Sequence, residues 1–519
     1  MERYLEEFIF YGDDIKIARF PADTKMLYAN PPIEGLADPD GAIARALDEP
    51  LGALPLEKQL TSKSRVTIAF DDPILPIPLM LRDTRGMVIE ELLRRLFKIG
   101  IPKERISLIC ANGLHRKWTI KELSIILGKN VVSEMGSRIT CHDGTKENEL
   151  TFLGTTENGH EVEVNKAAIE SDITIYVNMN YVTMNGGWKS ILVGLGSWRS
   201  IRHHHTYRQW NAEHTLMDPH TNPMHIILKE MGTVLKKSCN VFQIETVTNN
   251  KVWPFPLDRI LQPIQNGGRN GSPGAPVRTL LSLAALSPQP IKRWVRNNLI
   301  RSDYRLCGVF AGDVELVHEK TLDLLFRQQN VKADGQADIL IYGVPNLMPY
   351  SAQSIFNPIL LRSLVLGYLL GFYRNRHLVK EGGVIVACNP GIEKFHSVHH
   401  PSYIDFWNND LEHHSDPVDC WDTLAEPYAT NPRYIRLYQD AYAYHGTHVL
   451  MNWVWSGMCF KHVKAVILAG AKEPETARKI GFIPAPDLNT AISMAREMTG
   501  AASQLACQVI PPQFCVDVG

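Results

Sequence analysis

Between Asn185 and His205 the chain reads NGGWKSILVGLGSWRSIRHHH, and no other stretch gathers so many nucleophilic, imidazole-bearing and backbone-permissive residues. Gly186 and Gly187 admit backbone conformations that other residues resist, so the turn can present the Lys189 amine and the Ser190 hydroxyl beside open backbone amides. His203, His204 and His205 offer imidazole nitrogens. Adjacent side chains of an extended segment point opposite ways, so at most two of the three can serve one site. The same residues also fit a plain turn, a solvated lysine and a polar surface run. GGWKS lacks the Gly-to-Gly-Lys spacing with which a phosphate-binding loop wraps a nucleotide.

A second candidate is His115, set between Gly113 and Arg116. Imidazole titrates near neutral pH and suits acid/base work, although a capping or core histidine reads the same way. Asp71 and Asp72 can hold a cation or a ribose hydroxyl, or simply form an Asp-Asp-Pro turn. His396, His399, His400, His413 and His414 form a third group without the helical HExxH pattern of a zinc protease, which favours a polar lid or surface loop.

The elements that must position these residues follow a βαβ rhythm. Tyr4 to Leu27 suggests a hairpin and Asp40 to Leu47 a helix. RVTIAF at Arg65 to Phe70 predicts a buried strand, Val88 to Ile99 a helix, ISLICANG at Ile106 to Gly113 a second strand, and DITIYVN at Asp172 to Asn178 a third. Thr119, with Glu122 three residues on, predicts a helix cap. Ligands of open parallel sheets collect beyond the carboxyl ends of strands, where Asp71-Asp72, Gly113 to Arg116 and the Gly-Gly-Trp-Lys turn all fall. NGGRNGSPGAP, within Gln265 to Pro276, predicts a linker. Beyond it, Ala337 to Val344, Gly382 to Cys388, Val463 to Ala469 and His445 to Val454 read as strands, and Leu360 to Tyr373 and Asp487 to Met498 as helices. The expected fold class is α/β, with two α/β domains around a cofactor and substrate cleft: residues 1–270 binding cofactor, 271–505 closing over substrate, and a 506–519 tail returning to the first domain.

A chain of 519 residues exceeds the size at which one core keeps growing, which supports two domains. A charged fraction of 21% and a net charge of −1 give no overall electrostatic footprint for nucleic acid or an anionic membrane, so a small molecule or another protein is the expected partner. The acidic opening MERYLEEFIFYGDD is unlike a signal peptide, and the apolar run near Leu364 to Phe372 is too short to span a bilayer. Nine cysteines without a CxxC pair fit reduced thiols in a cytoplasm, and any metal would lean on histidine.

In order and spacing, FDDPILPIP (Phe70 to Pro78), ANGLHRK (Ala111 to Lys117), HDGTKENELTFLGTTENG (His142 to Gly159), NGGWKSILVG (Asn185 to Gly194) and the following HHH resemble the lactate racemase family. The likeness continues through GDVELVHEKTLDLL (Gly312 to Leu325) and ADILIYG into GFIPAPDLNTAISMA (Gly481 to Ala495). It implies a nickel-pincer nucleotide as cofactor, cofactor-biosynthesis proteins as partners and a small hydroxy acid as substrate. Lys189 stands where the family's lysine forms a thioamide link to the cofactor, in a turn whose Gly187 and Ser190 would help hold it. His205, sixteen residues on, stands at the nickel-ligating histidine, a donor suited to nickel held by sulfur and carbon. His115 matches one of two proton-exchanging histidines, and Asp72 an aspartate of the cofactor pocket. The implied reaction moves a hydride from the carbinol carbon to the cofactor and back, with loss of stereochemistry.

The sequence departs from the family on the substrate side. The second histidine, ten residues before the lysine, is replaced by Met179, beside Asn180 and Tyr181. The arginine before Pro-Val-Pro is Leu75. The YQxxK element gives way to GVPNLMPYSAQSIFNP, which keeps Gln353 but no lysine. Tyr181, Gln353 and Arg116 are the expected substrate contacts, with Arg82 and Arg85 as other cations able to compensate. These departures imply a substrate other than lactate. Two readings follow: a racemase or epimerase of a 2-hydroxy acid, or a diverged, non-catalytic relative binding a nucleotide-like ligand. A metal hydrolase built on the His396 to His414 group is a third.

Overall fold

Val66–Asp71 is buried at all but its last position, the pattern of a strand covered on both faces. In the computed structural model, which describes residues 4–74, 78–265 and 273–519, it pairs in parallel with Ile106–Ala111 on one side and Ile173–Asn180 on the other. The six-stranded sheet runs Leu306–Gly312, Val241–Thr248, Ile173–Asn180, Val66–Asp71, Ile106–Ala111, Ile139–Cys141, and only the Leu306–Gly312 strand is antiparallel to its neighbour. Helices Thr84–Ile99 and Ile120–Met135 cover one face, through Val88, Leu92, Leu123 and Ile126. Helices Gly187–Gly194 and Pro223–Leu235 cover the other, through Trp188, Ile191, Met224 and Leu228.

Local chemistry sets these boundaries. Asp83 caps Thr84–Ile99 by accepting from the Arg85 amide, and Gly100 ends it at a φ of 91°, where a side chain would be strained. Thr119 and Glu122 form the expected reciprocal cap.

A second six-stranded sheet runs Ile483–Ala485, Ala465–Ala469, Val379–Cys388, Ala337–Gly343, Leu505–Gln508, Lys25–Leu27, with every neighbouring pair parallel. The fold class is α/β. No single point in the chain separates the sheets, because Lys25–Leu27 joins the second and Leu306–Gly312 the first. At the C-terminus, Leu505–Gln508 extends the second sheet and Cys515–Val518 pairs in parallel with Asn330–Ala333.

One expectation is corrected. The stretch from His445 to Val454 is not a strand but the start of helix His448–Phe460, which is buried almost all round. A short apolar run carries no periodicity to separate a buried strand from a buried helix. The 360–373 segment is helical as expected, as an α-helical turn, Pro358–Arg362, that widens into a π-helix over Ser363–Leu369. Leu75 and the centre of the expected linker, 266–272, lie outside the described residues. No helix among the described residues is long and apolar enough to cross a membrane.

Candidate functional site

The turns after three adjacent strands place Asp72, His115 and Lys189 along one edge of the first sheet. The two neighbouring aspartates separate there. Asp71 points inward and accepts from the Tyr176 hydroxyl (3.0 Å), the Met179 amide (2.8 Å) and the Asn178 side chain, which ties the Val66–Asp71 and Ile173–Asn180 strand ends together. Burial pushes its carboxyl up to about 6. The Asp72 carboxylate instead meets His115 Nδ1 at 3.0 Å and accepts from Trp118 Nε1 at 3.2 Å. The carboxylate fixes the proton on Nδ1 and leaves the Nε2 lone pair of His115 free.

The Gly-Gly turn works differently from its sequence expectation. Gly186 and Gly187 have φ values of 102° and 56°, but their amides are not open. Gly186 donates to Ser190 Oγ (3.1 Å) and Gly187 to Glu245 Oε1 (2.7 Å). Ser190 Oγ also accepts from Asn178, so its hydroxyl is a strut within the turn. His318 packs so closely that a Cβ on either glycine would stand within 3 Å of its ring. What the turn presents is Lys189, whose Nζ donates to Asn185 Oδ1 at 2.8 Å; burial lowers the amine to about 8.

The three histidines divide. His203 faces Glu161 at 3.3 Å. His204 and His205 are both buried, with their Nδ1 atoms 2.6 Å apart, and burial pushes both well below the usual imidazole range. The expectation that neighbouring side chains diverge fails because this segment is a tight turn after the short Trp198–Ile201 helix, not a strand. Trp210 lies against the His205 ring, with centroids 4.3 Å apart.

Lys189, Asn185, His205, His115 and Tyr181 line one cavity of about 400 Å³. Its walls are mainly apolar, including Trp210, Trp253, Phe372, Trp455 and Met348. Tyr350, from the loop after Ala337–Gly343, packs on His115 with centroids 5.3 Å apart, and its hydroxyl accepts from Tyr368 at 2.9 Å. His448, at the first turn of its helix, meets the His115 ring edge-on at 5.5 Å, and its Nδ1 stands 2.8 Å from the Tyr403 hydroxyl. Sequence reasoning missed this side of the site. Tyr350 sits three residues from Gln353, and His448 was hidden in a segment read as strand.

Residues 11–215 match the lactate racemase N-terminal domain. The N-terminal part of the chain carries a lactate racemase N-terminal domain. Similar relatives are the lactate racemase of Lactiplantibacillus plantarum, 29% identical over 168 residues, and that of Thermoanaerobacterium thermosaccharolyticum, 26% identical over 167. These matches cover 32% and 31% of this chain and span 38% and 37% of the relatives. The lactate racemase apoprotein from T. thermosaccharolyticum shares the fold, with a TM-score of 0.65 at 18% identity over 99% of this chain and all of that one. A Thermotoga maritima protein matches at a TM-score of 0.51 and 15% identity, over 94% of this chain and all of that one.

In this chain, the residues expected to take the place of the missing cations are engaged elsewhere. Arg82 pairs with exposed Asp40, and Arg85 is fully buried between Asp83 and the Asp71 and Asp72 carbonyls. Arg116 is buried over Trp118 and paired with Glu122 at 2.6 Å, and it is not part of the cavity wall. Gln353, with a φ of 53°, lines a smaller neighbouring pocket. Met179 is fully buried beneath the rim. Of the expected substrate contacts, Tyr181 alone lines the cavity; its hydroxyl donates to Gln513 Oε1 at 3.3 Å. Lys292 and Arg296 reach the wall already paired with Asp14 and Asp13. His396, His399 and His400 pack together beside Ser354 and Asn357, and His414 pairs with Asp419.

Proposed function

We propose that this protein is a racemase- or epimerase-type isomerase of a 2-hydroxy acid bulkier and more apolar than lactate, with a nickel-pincer nucleotide as cofactor. The observation that carries the reading is the convergence of His115, Lys189 and His205 on one cavity. The donor set suits the group. Lys189 offers an amine made nucleophilic by burial, and the Asn185 Nδ2 beside it is buried without a partner among the described residues. His205 is a neutral imidazole whose Nδ1 meets His204 Nδ1 at 2.6 Å; in the tautomer with the proton on Nδ1 its Nε2 lone pair would be available to nickel. When bound, the cofactor supplies a hydride acceptor.

The remaining chemistry belongs to side chains. His115, steadied by Asp72, takes the substrate hydroxyl proton at Nε2. Tyr350 accepts from Tyr368 and so keeps its own proton to give to the substrate oxygen as the alcohol re-forms, in the place of the missing second histidine; the proton taken by His115 then passes through solvent to the resulting phenolate. The substrate oxygen then has one proton partner on each side, as inversion requires. The mainly apolar wall, in which Lys292 and Arg296 are already paired with Asp14 and Asp13, favours a bulky apolar substituent over a small carboxylate. In this reading residues 1–270 hold the cofactor, 271–505 supply Tyr350 and Tyr368, and the 506–519 tail returns Gln513 to Tyr181.

The test is production alongside cofactor-biosynthesis proteins, expected to give bound nickel and a mass increment on Lys189, followed by a screen of 2-hydroxy acids for epimerisation. An unmodified Lys189 and no nickel would overturn the reading. Met179 and the paired cations favour a second reading, a non-catalytic relative that binds a nucleotide-like ligand. Nickel and a modified Lys189 without turnover on any hydroxy acid would select it.

A further inference from the structure

Helix Ala275–Leu286, APVRTLLSLAAL, has one charged residue in twelve and not one buried residue. Helix Gln289–Asn298 follows directly and also buries none. An apolar helix normally loses its surface to a core, so this pair leaves an apolar face to be covered by something else. The exposed side chains are large: Leu280, Leu283 at 61%, Leu286 at 80%, Ile291, Trp294 at 56% and Leu299. On the first helix, positions 280, 283 and 286 fall within one stripe of about 120°.

The charge is one-sided. From Pro273 to Ser302 the sequence carries Arg278, Lys292, Arg293, Arg296 and Arg301 and no acidic residue. Arg278, Lys292 and Arg296 are held by Glu6, Asp14 and Asp13 of the N-terminal hairpin, which fasten the pair to the body. Arg293 and Arg301 have no carboxylate partner among the described residues. A net charge of −1 for the whole chain conceals this local excess.

The pair also forms part of the cavity wall. Ala284, Lys292, Val295, Arg296 and Ile300 line it while Ile291 and Trp294 face outward. We propose that the two helices form a docking surface for an anionic lipid bilayer, lying in its interface with the leucines and Trp294 inserted and Arg293 and Arg301 at the headgroups. A bilayer fits better than a second copy, because a two-fold contact through this face would bring its unpaired arginines together. Docking there sets the apolar cavity behind the bilayer surface, a route for an apolar solute from lipid to the site. The proposal stands apart from the isomerase reading, since docking needs neither cofactor nor turnover.

The test is flotation of the full chain with vesicles of phosphatidylcholine alone and of phosphatidylcholine mixed with phosphatidylglycerol, alongside light scattering for oligomeric state. Two unpaired cations, each worth about fivefold, predict a roughly 25-fold preference for the anionic vesicles at low salt. L283E/L286E should lose flotation while unfolding at the wild-type temperature, because neither leucine is buried. Arg293→Glu should lower the preference for anionic lipid, and Trp294 emission should shift to the blue only with vesicles. Wild-type protein that stays at the bottom of the gradient, or L283E/L286E that floats as wild type, overturns the proposal. So does a wild-type dimer that L283E/L286E converts to monomer, which would make the face a self-interface.

Discussion

His115 Nδ1 and Asp72 Oδ2 stand 3.0 Å apart and join the turns after two adjacent parallel strands. The pairing decides which nitrogen of His115 is left for chemistry. It also connects the two halves of the chain, because Tyr350 and His448 pack on the same ring from the other side.

His115→Ala should lower kcat by about 10²- to 10⁴-fold in the cofactor-loaded enzyme, the usual contribution of a general base. Asp72→Asn keeps the shape but lets an amide donate toward Nδ1, which favours the wrong tautomer. It should cut kcat with little change in KM. Wild-type kinetics in Asp72→Asn would remove the aspartate from this role.

Tyr350→Phe deletes the proposed second proton partner and should lower turnover by about 10²-fold or more. Tyr368→Phe removes only the hydrogen bond to Tyr350 and should cost less. Steady-state racemisation rates of the two variants check the order, and equal losses would contradict it.

Because burial lowers Lys189 to about 8, half its amine is neutral at pH 8, against about one part in 300 for an ordinary lysine. Peptide mapping after a brief pulse of acetic anhydride should find Lys189 in the cofactor-free protein labelled ahead of surface lysines, along a pH profile centred near 8. The sign for stability follows. Between about 8 and the usual 10.5 the unfolded chain binds more protons, so this residue makes the fold more stable as pH rises through that window.

Glu245 accepts from the Gly187 amide, Asn180 and Gln243 and faces His318, all in the interior. Burial works against its charge, but His318 and the Gly187 amide outweigh that and hold the carboxyl below its usual range. Its contribution is therefore present near neutral pH and lost as pH falls through its folded value. Glu245→Ala strands these donors and should cost about 3 kcal/mol in chemical denaturation. Gly186→Ala, pressed against His318 at a φ of 102°, should cost about 1–3 kcal/mol.

Along a homologous series of straight-chain 2-hydroxy acids, kcat/KM should rise by up to about fourfold per methylene until the cavity is filled, at roughly 0.8 kcal/mol for each buried group. A preference for lactate across the series would contradict the apolar-substituent reading.

The sequence by itself determined the parallel-sheet character, the Thr119 cap, and the ordered motifs that place Lys189, His115 and His205. These depend on contacts within a few residues or on spacings along the chain, which a linear reading preserves. Only the tertiary structure decided what those residues face. The Gly-Gly amides were committed to Ser190 and to Glu245, the latter 58 residues away, and Arg85 and Arg116 were claimed by carboxylates. His205 was paired with His204 by a tight turn. Tyr350 and His448 reached His115 from more than 230 residues away. Side-chain partners across such separations are set by how the sheets and their covering helices pack, and no local pattern of residues records them.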